Sequence, residues 1–192
     1  MHVTLRLQSG LPSLREAQLF AAIQRAFGVA SRRAFRLLHF SVQSDHLHLL
    51  VEADAPTRLA RGVQGLAIRV TRAVNRVLQR RGRVWDGRYH AHLLRTPREV
   101  RNALVYVLQN FRKHRLGAVG LDFYSSARWF QGWRRIVAAP LATAPVSAAE
   151  TWLMRVGWRR YGLLDPSDAP RSRHAPTSPS ARLSAPSPIP PP

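Results

Sequence analysis

His46 and His48 flank Leu47 in the run His46-Leu47-His48-Leu49-Leu50-Val51. Side chains alternate faces along a β-strand, so the two imidazoles project from one side, about 6.5–7 Å apart along the backbone. Leu47, Leu49 and Val51 then make an apolar opposite face. Two convergent histidines are able to share one metal ion, and two histidines on the open face of a sheet is the plainer reading of the same tripeptide. A second such tripeptide, His90-Ala91-His92, shows how readily the spacing arises. Further on, Tyr106 and Asn110 stand four apart in a run whose Leu104, Val107, Leu108 and Phe111 supply an apolar side. On a helix that spacing makes the phenol and the carboxamide neighbours. The phenol is then either a nucleophile or an aromatic at the rim of a core.

For these groups to meet, a strand and a helix must be held side by side, and much of the chain reads as the frame for that. Val3, Leu5 and Leu7 alternate with polar positions over His2–Gln8, the period of a half-buried strand. Ser13 is placed to cap a helix through Leu14, Ala17, Leu19, Phe20, Ile23 and Phe27, with Gly28 at its stop. Phe35–Gln43 and His46–Glu52 predict two strands about a Ser44-Asp45 turn, too short for anything but an antiparallel hairpin. Thr57–Arg80 predicts a long amphipathic helix with Leu59, Val63, Leu66, Ile68, Val70, Val74 and Val77 on its apolar side. A strand over Tyr89–Arg95 follows Gly82, and Thr96-Pro97-Arg98-Glu99 is a capping box opening a helix to about His114. The predicted fold class is α+β: a ferredoxin-like βαββαβ sandwich with helices on one face of an antiparallel sheet and an extra C-terminal helix that carries Tyr106.

Three organisational units follow: residues 1–138 as the main domain, 139–164 as a helical appendage, and 165–192 as a disordered tail. Residues 115–146 read as loops and short turns containing Trp129 and Trp133, and Ser147–Glu150 as a second capping box before a short helix through Trp152, Val156 and Trp158. The tail holds nine of the chain's 14 prolines. Thirty basic residues against ten acidic ones give a formal charge of +20 over 192 residues, which favours a polyanion, nucleic acid before an acidic membrane surface. All but Lys113 of the basic residues are Arg, a skew that a GC-rich genome also produces. The absence of cysteine excludes disulfides, thiolate zinc sites and a cysteine nucleophile. No segment approaches the roughly 18 apolar residues of a membrane span and the N-terminus lacks the apolar stretch of a signal peptide, so a cytoplasmic protein, nucleoid-associated when bound to DNA, is expected.

The ordered set Phe40-Ser-Val-Gln-Ser-Asp-His-Leu-His-Leu-Leu, Gly82-Arg-Val-Trp-Asp-Gly-Arg-Tyr, Tyr106-Val-Leu-Gln-Asn and Tyr124-Ser125-Ser126 resembles HUH-type single-tyrosine transposases, within them the REP-associated, domesticated branch. The resemblance spans roughly His2 to Trp133, and His90-Ala91-His92 has no counterpart in the pattern. It implies that His46 and His48 bind a divalent cation, Mg²⁺ or Mn²⁺, with Asn110 as third ligand and Tyr106 as nucleophile. The implied reaction is metal-dependent cleavage and strand transfer on single-stranded or hairpin DNA through a 5′-phosphotyrosine, either as a monomer or as a homodimer. Two neutral imidazoles and an amide give such an ion no negative protein charge, so the scissile phosphate would supply it.

Arg69, Arg72, Arg76, Arg80, Arg81, Arg83 and Arg88 are the residues suited to a phosphate backbone, with Trp85 and Tyr89 suited to stacking on unpaired bases. A solvated helix face and buried aromatics account for the same residues without DNA. The competing function is a non-catalytic single-stranded DNA or RNA-binding module built on the same sheet.

Overall fold

A computed structural model describes residues 1–30, 34–114, 120–135, 143–168 and 170. Of the expected loop region, residues 115–119 and 136–142 lie outside that set, and so does the expected tail from residue 171 onward.

The alternating and helical periods resolve into strand β1 (His2–Arg6), helix α1 (Ala17–Gly28), strands β2 (Phe35–Val42) and β3 (His46–Ala53), helix α2 (Pro56–Val77), strand β4 (His90–His92) and helix α3 (Pro97–Leu108). The fold is α+β, with one antiparallel sheet in the order β2-β3-β1-β4. Val42 opposes Leu47, and the Gln43 amide donates to the His46 carbonyl at 2.9 Å, so Ser44 and Asp45 form the tight turn their types predict.

The two sandwich helices, α1 and α2, cover one face of this sheet as expected, and the extra helix α3 covers the other. On the first face Leu5, Leu47, Leu49 and Val51 pack with Leu19, Ile23 and Phe27 of α1 and Val63, Leu66, Val70 and Val74 of α2. On the second, Leu38 and Leu50 pack with Val100, Leu104, Val107 and Leu108 of α3. The adjacent pairs Leu37-Leu38 and Leu49-Leu50 are the cause, because a strand apolar on consecutive residues needs cover on both sides. An irregularity between Leu37 and His39 resets the alternation, so that Leu37, Phe40 and Val42 share the first core while Leu38 enters the second.

Several boundaries differ from expectation. Helix α1 begins only at Ala17, and the Ser13 hydroxyl accepts from the Arg15 amide in the preceding turn instead of capping it. Helix α2 starts at Pro56, β4 is three residues long, and the helix expected to run to His114 breaks at Gln109 before α4 (Asn110–His114). The Thr96–Glu99 capping box is present in both directions. Near the C-terminus, Thr151 rather than Ser147 caps α5 (Trp152–Arg155), which continues as a 3-10 turn over Gly157–Tyr161. Residues 165–168, expected in the tail, are tied to the fold: the Gln109 amide donates to the Pro166 carbonyl at 2.8 Å, and Arg101 meets Asp168 at 3.4 Å.

Tyr124-Ser125-Ser126 seals the free edge of β2. The Val42 amide donates to the Tyr124 carbonyl at 2.8 Å, Ser41 bridges Ser125, and the Ser126 hydroxyl accepts from the Phe40 amide at 3.0 Å. An uncovered edge strand invites pairing with another chain, and this segment prevents it there. Among the described residues no helix is long and apolar enough to cross a membrane.

Candidate active site

Residues 46, 48, 50 and 52 of β3 point to the α3 side of the sheet, which brings His48 under the helix that carries Tyr106. The His48 and Tyr106 rings meet edge to face with centroids 4.9 Å apart. His48 is buried, Tyr106 half-buried and His46 half-buried. The Nε2 atoms of His46 and His48 lie 2.9 Å apart. Strand pairing and helix packing thus bring together both histidines and the phenol.

Three residues of this cluster were not singled out from sequence: His2, Thr4 and Asp45. In the β1–β3 register Thr4 sits opposite His48 and Arg6 opposite His46, so β1 supplies the floor beside the pair. His2 Nε2 and Thr4 Oγ1 each lie 3.2 Å from His48 Nδ1, and the His2 ring stands 5.6 Å from that of Tyr106. His46 Nδ1 donates to Asp45 Oδ1 at 2.7 Å, and this bond is the first reason the Asp45 carboxyl is held below its usual range.

The proton positions follow from these partners. An ionised carboxylate only accepts, so His46 carries a proton on Nδ1 and, when neutral, presents a lone pair on Nε2. His48 then donates from Nε2 into that lone pair and accepts on Nδ1 from the Thr4 hydroxyl or His2. A carboxylate behind an imidazole, fixing its tautomer, is also the arrangement that supports histidine as a metal ligand.

Asn110 opens α4 just past the break at Gln109, so it does not continue the α3 helix that holds Tyr106. It is 1% exposed, and neither its amide oxygen nor its amide nitrogen has a hydrogen-bond partner among the described residues. Burying such a group unpaired costs about 1–3 kcal/mol, so the Asn110 amide is a polar group available to a ligand. Among the described residues no three His, Asp or Glu side chains are grouped to hold a metal, so a third protein donor would be a group of another kind, an amide, hydroxyl or carbonyl oxygen. The donors fit a divalent cation in kind, imidazole being a ligand of transition ions and the amide oxygen one of Mg²⁺ and Mn²⁺.

The second histidine tripeptide reaches the same face. His92 lies opposite His2, and His90 opposite Thr4, on the exposed edge strand β4. Facing residues of paired strands project to one side, so His90 and His92 extend the polar row from β3 through β1 to the sheet edge.

The arginines lie elsewhere. Arg69, Arg72 and Arg76 of α2 join Arg25 of α1 along a groove of about 320 Å³ between these helices, on the sheet face remote from His48. The Arg80 guanidinium turns to the Arg83 carbonyl at 3.3 Å, while Arg81, Arg83 and Arg88 are exposed. Trp85 donates to the Ala67 carbonyl at 3.1 Å and, like Tyr89, packs partly buried on the first core, which takes much of each ring away from any base.

Residues 16–110 match the family model described as Transposase IS200 like. No curated protein and no solved structure matches the chain.

Proposed function

With the IS200-like transposase match over residues 16–110 as premise, we propose that the protein cleaves and rejoins single-stranded or hairpin DNA with Tyr106 as its nucleophile. The observation that carries this reading is the edge-to-face contact of Tyr106 with His48, which joins the phenol to the imidazole pair across two separate elements. The ordered motifs that resemble the REP-associated branch point the same way.

Tyr106 Oη attacks the scissile phosphorus, the bond from phosphorus to the 3′ oxygen breaks, and that oxygen leaves as a 3′-hydroxyl. The DNA remains attached through a 5′-phosphotyrosine, which keeps the phosphodiester energy for rejoining without ATP. A phenol has an unperturbed pKa near 10, so attack requires its proton to be lost as the bond forms.

His46, His48 and the Asn110 amide would hold Mg²⁺ or Mn²⁺, which would polarise the phosphoryl oxygens and orient the displacement. Freeing both Nε2 lone pairs requires His48 to shift its proton from Nε2 to Nδ1, where the Thr4 hydroxyl oxygen lies 3.2 Å away to accept it. Asp45 keeps His46 in the tautomer that offers Nε2 throughout. The arginine groove between α1 and α2 would take the stem of a hairpin away from the cutting site, and Arg83 and Arg88 would extend that contact.

The test is incubation of the protein with Mn²⁺ and end-labelled hairpin DNA, followed by denaturing electrophoresis. A protein–DNA adduct from wild type, absent from Tyr106→Phe and from His48→Ala, is expected. DNA binding without any adduct, unchanged by EDTA, would replace this reading with the non-catalytic binding module.

A further inference from the structure

Segment 150–164 is fastened to the fold from its inner side. Glu52 of β3 accepts from the Glu150 amide at 2.9 Å, from the Thr151 amide at 3.2 Å and from the Thr151 hydroxyl. Met154, Trp158 and Leu164 enter the second core, and the Trp158 indole donates to the Met154 carbonyl at 3.1 Å. These contacts fix the segment on α3 and use none of its outward side chains.

That outward side has a definite chemistry. Trp152 is 53% and Tyr161 54% exposed, with Val156 and Leu163 also exposed beside them. Between Thr151 and Leu164 there is no carboxylate, but there are three exposed arginines, Arg155, Arg159 and Arg160. None of the three forms an ion pair among the described residues. The Arg160 guanidinium stands 5.1 Å from the Trp152 ring and Arg159 5.5 Å from Trp158, so cationic and aromatic groups interleave. Trp152 is also held in place, because its indole packs directly on Gly157, where an added Cβ would come within 2.7 Å of it.

From this face we infer a second nucleic-acid contact surface, one that binds single-stranded DNA or RNA through base stacking on Trp152 and Tyr161 and phosphate contacts from Arg155, Arg159 and Arg160. Unpaired bases offer planar faces to rings and their backbone offers phosphates to guanidiniums, whereas a duplex hides the faces and an acidic peptide has none. The surface lies outside residues 16–110. It shares only the nucleic-acid partner with the catalytic reading, and it rides on the helix that carries Tyr106.

The experiment measures anisotropy of a labelled oligo(dT) and of a labelled duplex against the full chain in EDTA, in a Tyr106→Phe background, so that failure of catalysis cannot alter the result. Trp152→Ala with Tyr161→Ala should weaken oligo(dT) binding roughly tenfold or more and duplex binding much less. Replacing the three arginines by Ala should flatten the slope of log affinity against log salt by about two, from roughly 0.7 per phosphate contact. Wild-type affinity in both variants, or equal losses on both probes in the aromatic variant, would overturn the inference. Should either variant unfold, photocrosslinking of bromouracil-containing single strands to the wild-type chain decides: crosslinks at Trp152 or Tyr161 support the surface, and crosslinks confined to other residues refute it.

Discussion

His46 and His48 point their Nε2 atoms at each other across 2.9 Å, a separation at which one must donate a proton to the other or both must give their lone pairs to a shared cation. Which of these holds is controlled from behind, by Asp45 on one ring and by Thr4 and His2 on the other.

Asp45→Asn removes the acceptor charge that fixes His46. An amide oxygen still accepts, but the side chain is now equally able to donate, and the His46 tautomer is no longer dictated. Outer partners of this kind change metal affinity or activity by about 10–100-fold. A Mn²⁺ titration of adduct formation should therefore shift to higher metal concentration by that order, with the thermal midpoint little changed, since Asp45 is exposed. An unchanged titration would remove Asp45 from the site.

The sequence made the local devices legible and left the long-range ones hidden. Thr96 and Glu99 announce their capping box because both partners lie within one helical turn, and the Ser44-Asp45 turn follows from the two runs it joins. The pairing of His46 with His48 was readable for the same reason. His2 was read only as the start of a strand, because its approach to His48 depends on the β1–β3 register across 46 positions. Asp45 did carry a usable signal, a carboxylate directly before the first histidine. The break at Gln109 was invisible: its buried side chain is drawn to the Pro166 carbonyl, a partner 57 residues away. Cover on the second sheet face was foreshadowed by the Leu37-Leu38 and Leu49-Leu50 pairs, which do not fit a strand exposed on one side.

Glu52→Gln tests the fastening of segment 150–155. The carboxylate accepts from two backbone amides and the Thr151 hydroxyl and also pairs with buried Arg36 at 3.4 Å. Arg36 keeps Asp54 and Glu150 as partners, at 3.3 and 3.0 Å, so the charge is not left alone. Loss of charge-assisted bonds of this type costs about 1.5–3 kcal/mol each at most. Urea unfolding should show a loss of about 2 kcal/mol, and hydrogen exchange should accelerate at Thr151–Arg155 more than in β3. Equal acceleration throughout would mean that Glu52 serves the sheet and not the segment.

His39 gives the stability of the fold a pH dependence. Burial lowers its pKa to about 4, with the ring against Phe130 and Nδ1 3.2 Å from the Ser126 hydroxyl. In the unfolded chain the value is about 6.5. Between these limits the unfolded chain binds the proton that the folded one refuses, so stability is full above pH 6.5, declines as pH falls, and stops declining from this cause near 4. The total effect is at most about 3 kcal/mol. Urea midpoints measured from pH 7 to 4 should fall for wild type and fall distinctly less for His39→Leu; parallel curves would assign the decline to other groups.

Gly62 lies in the middle of α2, where glycine costs about 1 kcal/mol relative to alanine, so Gly62→Ala would stabilise an isolated helix. In the fold the Phe35 ring occupies that space: an added Cβ would stand 2.1 Å from its Cδ2. Phe35 is 4% exposed and sits in the first core at the start of β2, so the ring has little room to withdraw. Overpacking of this kind typically costs 1–3 kcal/mol, which outweighs the gain in helix propensity. Gly62→Ala should therefore lower stability by about 1–2 kcal/mol on balance. A smaller residue at position 35 removes the clash but leaves a cavity of its own, so the informative quantity is the coupling between the two changes. In the cycle of Gly62→Ala and Phe35→Leu, the double variant should be more stable than the sum of the single losses predicts, by about 1 kcal/mol or more. Strict additivity would show that the ring and the glycine do not meet, and that the α2–β2 contact is looser than this geometry requires.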